Sequence, residues 1–173
     1  MRSWLALDIR RGLIVNHLAA SHAINHQLRR RLLRWYGVEI DPSAVVKGGC
    51  FFGGPGVSIG SGTFVNVGCF FDGSGPIDIG ASCNIGMEAM LCTSHHRTGA
   101  RDRRATQPTE GRGITIGDGC WIGVRATILP GVTVADGCVI AAGAVLARDT
   151  EKDGLYAGVP AARLRDLEPG SAC

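Results

Sequence analysis

From residue 40 onward the chain divides into hexads, each headed by an apolar residue: Ile40, Val46, Phe52; Ile59, Val65, Phe71; Ile79, Ile85, Leu91; Ile116, Ile122, Ile128; Val134, Ile140, Leu146. Extra residues fall after Phe52, after Phe71 and after Leu91, always behind the third hexad of a triplet. A fixed internal period of this kind marks a repeat architecture in which each unit buries its neighbour's face. The spacing predicts five coils of about 18 residues, each three-sided, with insertions tolerated at one corner. The fifth hexad position is usually small: Ala44, Cys50, Gly56, Thr63, Cys69, Gly75, Cys83, Ala89, Cys120, Ala126, Cys138 and Ala144. A small residue there fits a tight inward corner. The expected fold is an all-β solenoid, with parallel strands stacked coil on coil at about 4.8 Å.

A stack of coils needs covered ends. Residues 3–36 read as two helices carrying Leu5, Ile9, Leu13, Val15 and Leu18, then Ile24, Leu28, Leu32 and Trp35, with Ser21 as a cap for the second. Their expected task is to cover the first coil; an amphipathic helix lying on a membrane is the alternative. At the other end residues 155–160 close the stack, and 161–168 are expected to form a short helix. The resulting division is a helical cap over 1–37, a β-helix over 38–160 with an inserted loop at 97–113, and a tail over 161–173.

Composition adds three constraints. Glycine is abundant at 26 residues and aromatics are few at 6%, which suits many tight turns around an aliphatic core. Five of the seven cysteines (50, 69, 83, 120 and 138) share the small inward position, so they read as buried hydrophobes rather than disulfides or zinc ligands. Cys92 and Cys173 fall outside that position and have no assigned role. No apolar run is long enough to span a bilayer and Asp8, Arg10 and Arg11 interrupt any signal peptide, so the expected location is cytoplasmic.

The net charge of +3 is unevenly spread. Arg2, Arg10, Arg11, Arg29, Arg30, Arg31 and Arg34 crowd the N-terminus, and Arg97, Arg101, Arg103, Arg104 and Arg112 crowd the loop. Without interleaved aromatics or a nucleic-acid motif, these read as a solvated helix face and an anion-contacting loop, with no nucleic-acid partner expected.

The hexads, the stretch Ile116-Gly117-Asp118-Gly119-Cys120-Trp121-Ile122-Gly123, the Leu129-Pro130-Gly131-Val132 segment and the tail Ala157-Gly158-Val159-Pro160-Ala161 resemble the hexapeptide-repeat acetyltransferases over roughly residues 40–168. The resemblance lies with the branch of galactoside, maltose, nodulation-factor and polysaccharide O-acetyltransferases and some antibiotic-acetylating enzymes. It implies a left-handed β-helix, a hand that parallel crossovers otherwise avoid. It further implies a homotrimer binding acetyl-CoA and a small-molecule or saccharide acceptor between subunits, and direct acetyl transfer without an acyl-enzyme.

Such a reaction needs a base for the acceptor's proton, and imidazole suits it. His17, His22 and His26 lie in a polar stripe of the cap and read as surface residues. Of the pair His95–His96, the family's catalytic histidine stands eleven residues after the head of the preceding hexad, and counting from Ile85 gives His96. Extending the hexad of Leu91 also turns His95 inward, as a structural or substrate-side residue, and His96 outward. The resemblance gives the loop 97–113 as a wall of the acceptor site, a mobile surface loop being the alternative. It also suggests Asn66 and Asp72 as acceptor-binding residues, although both also suit corner-turn hydrogen bonding.

For the CoA arm the resemblance marks Trp121, Ala142 and Gly143, and it matches Arg148 to a cation near the phosphates. The cation that commonly follows Gly-Val-Pro-x is replaced by Ala162, leaving Arg163 or Arg165 as substitutes. No metal is expected, since a γ-type carbonic anhydrase would need three convergent histidines. N-acetylation of an antibiotic or amino sugar, and a non-catalytic hexapeptide scaffold, remain as alternatives.

Overall fold

The computed structural model of the chain describes residues 12–106 and 110–168. Leu5, Ile9, Pro108, Cys173 and the arginines at 2, 10 and 11 lie outside the described residues.

The hexads form strands two or three residues long, three to a coil. Coil one contains β1 (Glu39–Ile40), β2 (Val45–Val46) and β3 (Phe51–Phe52); coil two contains β4 (Val57–Ile59), β5 (Phe64–Val65) and β6 (Phe70–Phe71). Coil three has β7 (Ile77–Ile79), β8 (Asn84–Ile85) and β9 (Met90–Leu91), after which β10 (Ser94–His95) and β11 (Glu110–Gly111) leave the solenoid as a pair. Coil four has β12 (Ile114–Ile116), β13 (Trp121–Ile122) and β14 (Thr127–Ile128); coil five has β15 (Thr133–Val134), β16 (Val139–Ile140) and β17 (Val145–Leu146). Finally β18 (Gly154–Gly158) begins a sixth turn and β19 (Ala161–Asp166) folds back on it.

Every coil-to-coil pairing within the stack is parallel and in register. Three faces result: the first β1-β4-β7-β12-β15, the second β2-β5-β8-β13-β16-β18 with β19 at its edge, the third β3-β6-β9-β14-β17.

All fifteen hexad heads are buried. Identical side chains stack up the axis, as in Phe52 on Phe71 at 4.7 Å between ring centroids. The five inward cysteines are buried and free, and each thiol donates to a carbonyl at a corner, as in Cys83 to Gly117 at 3.0 Å and Cys120 to Ala135 at 3.2 Å. The side chain is therefore both the small hydrophobe the corner admits and a weak donor for its carbonyl.

Two end structures differ from expectation. Residues 161–166 are a strand, not a helix: β19 pairs antiparallel with β18. The reason lies in Tyr156 and Arg163. The Arg163 guanidinium donates to the Tyr156 hydroxyl at 3.1 Å, to the Glu151 carbonyl at 3.0 Å and to Asp166 at 2.9 Å, and a helix would not place it across from Tyr156. At the N-terminal end, a short helical stretch (Val15–Ala19) precedes α1 (His26–Tyr36). The cap of α1 is Asn25, whose side chain accepts from the Leu28 N–H at 2.9 Å, not Ser21, and Gly37 closes the helix at φ 111°.

The cap does cover the first coil, and of the expected stripe Val15 and Leu32 pack on the core while other members face outward. Leu28 and Trp35 are exposed, whereas Arg29 and Leu33 are buried. Arg29 therefore does not belong to a solvated face. Its guanidinium donates to the carbonyls of Ala19 (2.7 Å), Ser21 (2.7 Å), Ile24 (3.1 Å) and Val46 (3.2 Å), joining both helical pieces to coil one. Arg30 also donates to the Pro42 carbonyl. No helix among the described residues is long and apolar enough to cross a membrane.

Candidate active site

The third face ends at the corner where the insertion departs, and there Asp72 organises the backbone. One carboxylate oxygen accepts from the Thr93 N–H at 3.1 Å and the Ser94 N–H at 2.7 Å; the other accepts from the N–H and hydroxyl of Ser74 at 3.2 and 3.1 Å. Fully buried Thr93 accepts from the Gly75 N–H through its hydroxyl at 3.0 Å, and its carbonyl accepts from the Arg112 N–H at 2.8 Å. Both ends of the insertion are thereby tied to coil two. Burial works to raise the Asp72 pKa, but the hydrogen bonds from Ser94, Ser74 and Thr93 outweigh it and leave the carboxyl below its ordinary value.

The described residues of the insertion form a paired arm. Ser94–His95 pair antiparallel with Glu110–Gly111, Thr98 bridges Ala105, and Arg103 N–H closes a turn onto the Ala100 carbonyl at 3.1 Å. The coil register stops at Thr93, so the hexad count no longer separates the two histidines. His95 is instead a strand residue opposite Glu110, and both imidazoles are half-buried.

Hydrogen bonding separates them. His96 Nδ1 lies 2.8 Å from the Thr106 carbonyl oxygen across the arm. A carbonyl only accepts, so Nδ1 carries the proton and a neutral ring presents Nε2 with its lone pair free. Thr106 is itself fixed, its N–H and hydroxyl donating to the Arg97 carbonyl at 3.2 and 2.9 Å. A base held in one tautomer by a backbone carbonyl has the arrangement that proton abstraction needs.

On the second face, Phe64, Asn66, Asn84, Ile85, Gly86 and Trp121 surround a cavity of about 390 Å³. Trp121 is 58% exposed, an unusual surface for an indole unless a ligand or partner covers it. The Asn66 side-chain oxygen accepts from the Val67 N–H at 2.8 Å, which leaves its amide nitrogen for the cavity. Asn84 was not singled out from the sequence. A signal was present, because Asn84 precedes Ile85 as Trp121 precedes Ile122, and the two pair directly across coils.

The cavity and His96 do not meet within the chain. The cavity lies on the second face, while His96 follows the third face at its far corner, so the width of the third face separates them.

The remaining positions divide in the same way. Gly143 has φ +69° and nothing within 4 Å of where a Cβ would stand, and Ala142 and Arg148 are exposed, so this edge of the top coils is open. Arg163, suggested as a phosphate contact, is taken up by Tyr156, Asp166 and two carbonyls. Arg148 and Arg165 remain exposed on the surface. Among the described residues no group of three His, Cys, Asp or Glu could hold a metal ion.

Asp72 thus anchors the arm instead of facing outward with free oxygens. Asp72→Ala should lower turnover about 10- to 100-fold through a displaced His96, with CoA affinity unchanged by calorimetry. Because the folded pKa is depressed, the anchor's stability is fully present above the ordinary carboxylate value of about 3.9. It is lost as pH falls through the still lower folded pKa, and acid unfolding curves of the variant should lack that contribution.

The family described as bacterial transferase hexapeptide (six repeats) matches residues 113–148. A hexapeptide-repeat-containing acetyltransferase from Vibrio cholerae O1 biovar eltor, solved with acetyl coenzyme A, superposes with a TM-score of 0.77 at 31% identity, covering 94% of this chain and 86% of that one. A galactoside acetyltransferase in complex with coenzyme A superposes with a TM-score of 0.85 at 26% identity, covering 97% and 84%. A Schizosaccharomyces pombe protein carrying a provisional acetyltransferase name is 36% identical over 92 residues, 53% of this chain and 44% of that protein, so the match spans less than half of that relative. With its coils, its arm and these relatives together, the chain belongs to the hexapeptide-repeat acetyltransferase family.

Proposed function

We propose that the protein transfers an acetyl group from acetyl-CoA to a hydroxyl of a sugar or saccharide-bearing acceptor, with His96 as general base. The observation that carries this reading is the Nδ1 contact to Thr106 at 2.8 Å, which reserves Nε2 for the acceptor's proton. The hydroxyl oxygen attacks the thioester carbonyl carbon as Nε2 takes its proton. The tetrahedral species collapses with cleavage of the C–S bond, and the imidazolium returns the proton to the departing CoA sulfur. A hydroxyl needs a base for this attack and a preset imidazole supplies it; an amine acceptor would give up a proton to the same imidazole, so the O-acetyl reading is carried by the resemblance to sugar O-acetyltransferases.

Binding of acetyl-CoA as substrate is supported by the two structural relatives, which hold acetyl-CoA or CoA, and by the open edge at Ala142 and Gly143 with Arg148 beside it. The separation of His96 from the Trp121 cavity supports a site assembled from two subunits, His96 coming from one and Asn66, Asn84 and Trp121 from the next. The third face offers an apolar outer surface for that contact, where Phe51 and Phe70 stack at 4.9 Å and Met90 continues the stripe. We take the assembly to be a homotrimer, as the resemblance implies. Six free thiols among the described residues and an acyl-CoA donor favour the cytoplasm.

The test is release of free CoA from acetyl-CoA across a panel of sugars, nucleotide sugars and aminoglycosides, with the product identified as ester or amide. Ester formation is expected. Amide formation alone would replace the O-acetyl reading with the N-acetyl one, and failure of CoA to raise the thermal midpoint at millimolar concentration would favour a scaffold.

A further inference from the structure

The apolar side chains left on the surface are not spread evenly. Of the twelve large hydrophobic residues exposed among the described residues, five lie in the cap: Leu13, Ile14, Leu18, Leu28 and Trp35. The two cap pieces lie across the end of the solenoid, the short helical stretch against β3 and α1 against β1 and β2. Val15 and Ala19 of the first and Arg29 and Leu33 of the second are the buried residues that turn toward coil one. The Asn16 side chain fixes the first piece by bonding the Phe52 N–H at 2.8 Å and its carbonyl at 3.0 Å. Arg29 fixes the second through the Val46 carbonyl at 3.2 Å. With those sides held inward, Leu18 at 55% exposure and Leu28 at 44% face away from the coils, on the base of the solenoid.

Charge on this base has one sign. No Asp or Glu stands between Asp8 and Glu39, a stretch that holds four arginines. Arg29 is buried and Arg30 is drawn to the Pro42 carbonyl. Arg31 and Arg34 are exposed, and neither pairs with an acid among the described residues. Arg31 stands three residues after Leu28 on α1, so the cation lies on the same helix face as the exposed leucine.

An apolar face of this sign fits an anionic lipid surface and fits other occupants badly. A second copy of the chain would bring Arg31 and Arg34 against their own equivalents, with no acid on the face to neutralise them. Residues 1–11 would add Arg2, Arg10 and Arg11 against Asp8 alone. In a headgroup layer the leucines enter the acyl boundary while the guanidinium groups stay among lipid phosphates.

We infer that the cap is a membrane-docking face, which seats the base of the solenoid on an anionic phospholipid surface without crossing it. Leu13, Ile14, Leu18 and Leu28 insert, and Arg31 and Arg34 hold lipid phosphates. The inference stands on the cap alone and does not depend on which acceptor the enzyme uses.

The test mixes the full-length protein with sedimenting vesicles of phosphatidylcholine and phosphatidylglycerol in equal parts, and with vesicles of phosphatidylcholine alone, and measures the bound fraction. Binding to the mixed vesicles is expected, weakened about tenfold or more on phosphatidylcholine alone and weakened by added salt. Arg31→Gln/Arg34→Gln should lose about 30-fold on the mixed vesicles. Leu18→Ser/Leu28→Ser should lose about tenfold or more there. All four side chains are exposed, so the thermal midpoint should not move. If the leucine pair failed to fold, the arginine pair alone would decide. The inference is overturned if the unmodified protein stays in the supernatant with both vesicles, if it binds both equally, or if either folded variant binds as the unmodified protein does. It is also overturned if the leucine pair lowers the oligomer mass by light scattering, which would assign the face to a contact between copies.

Discussion

Replacing His96 with alanine is expected to lower kcat about 10²- to 10⁴-fold, the usual contribution of a positioned general base. CoA affinity and the thermal midpoint should stay unchanged. The imidazole is half-buried and its one internal bond is to an arm carbonyl that the solvent can reach, so little of the fold depends on it. The proposed chemistry depends on it because the acids described at the arm root are engaged and, His95 apart, His96 is the imidazole there, held by the arm. Asp72 has both oxygens engaged, and Glu110 is paired with arginines. His95→Ala is the control: it removes a residue of β10 whose backbone partner is Glu110, and should cost at most a few-fold. If His95→Ala proved inactive and His96→Ala active, the roles of the two would be exchanged.

Arg29→Met is expected to produce the largest stability loss, about 3–5 kcal/mol, read as a fall of about 10 °C in Tm. Two effects compete. Removing a buried cation relieves its desolvation, and burial already pushes the Arg29 pKa down from its ordinary value. Against this, four backbone carbonyls lose their donor together, and three of them belong to the cap segment that must stay on coil one. Each stranded carbonyl costs about 1–3 kcal/mol, so the loss outweighs the relief. Isosteric replacement of a whole buried ion network can be neutral, but here the acceptors are main chain and cannot be replaced with it. A Tm within 2 °C of the unmodified protein would show that water satisfies those carbonyls.

The parts of the structure legible from sequence are those that repeat. Every hexad head is buried because a coil has one inward direction per strand, and six-residue spacing leaves no second choice. The cysteines were readable for the same reason. What failed was what happens once. Arg29 looked like one more arginine of a basic helix, since sequence periodicity carries no information about four carbonyls arriving from two other segments. Arg163 looked available for phosphate, but the chain reverses at Pro160 and brings it onto Tyr156.

Counting from Ile85 gives His96, whereas the hexad register running from Leu91 ends at Thr93, where the arm departs. The Thr106 contact that distinguishes His96 comes from the far side of that arm and had no signal in spacing. Asn84 could have been found, because reading hexads as vertical ladders places it under Trp121.

The separation of His96 from the Trp121 cavity makes the most direct test one of subunit mixing. Neither the His96→Ala chain nor an Asn66→Ala/Trp121→Ala chain should transfer acetyl groups alone. In oligomers formed by refolding the two together, each interface that joins an intact cavity to an intact His96 is restored. With random assortment, recovery should approach about a quarter of the unmodified activity, as for any head-to-tail interface between two chain types. Mixed oligomers verified by mass that remain as inactive as their parents would contradict a site built from His96 of one subunit and the cavity of the next.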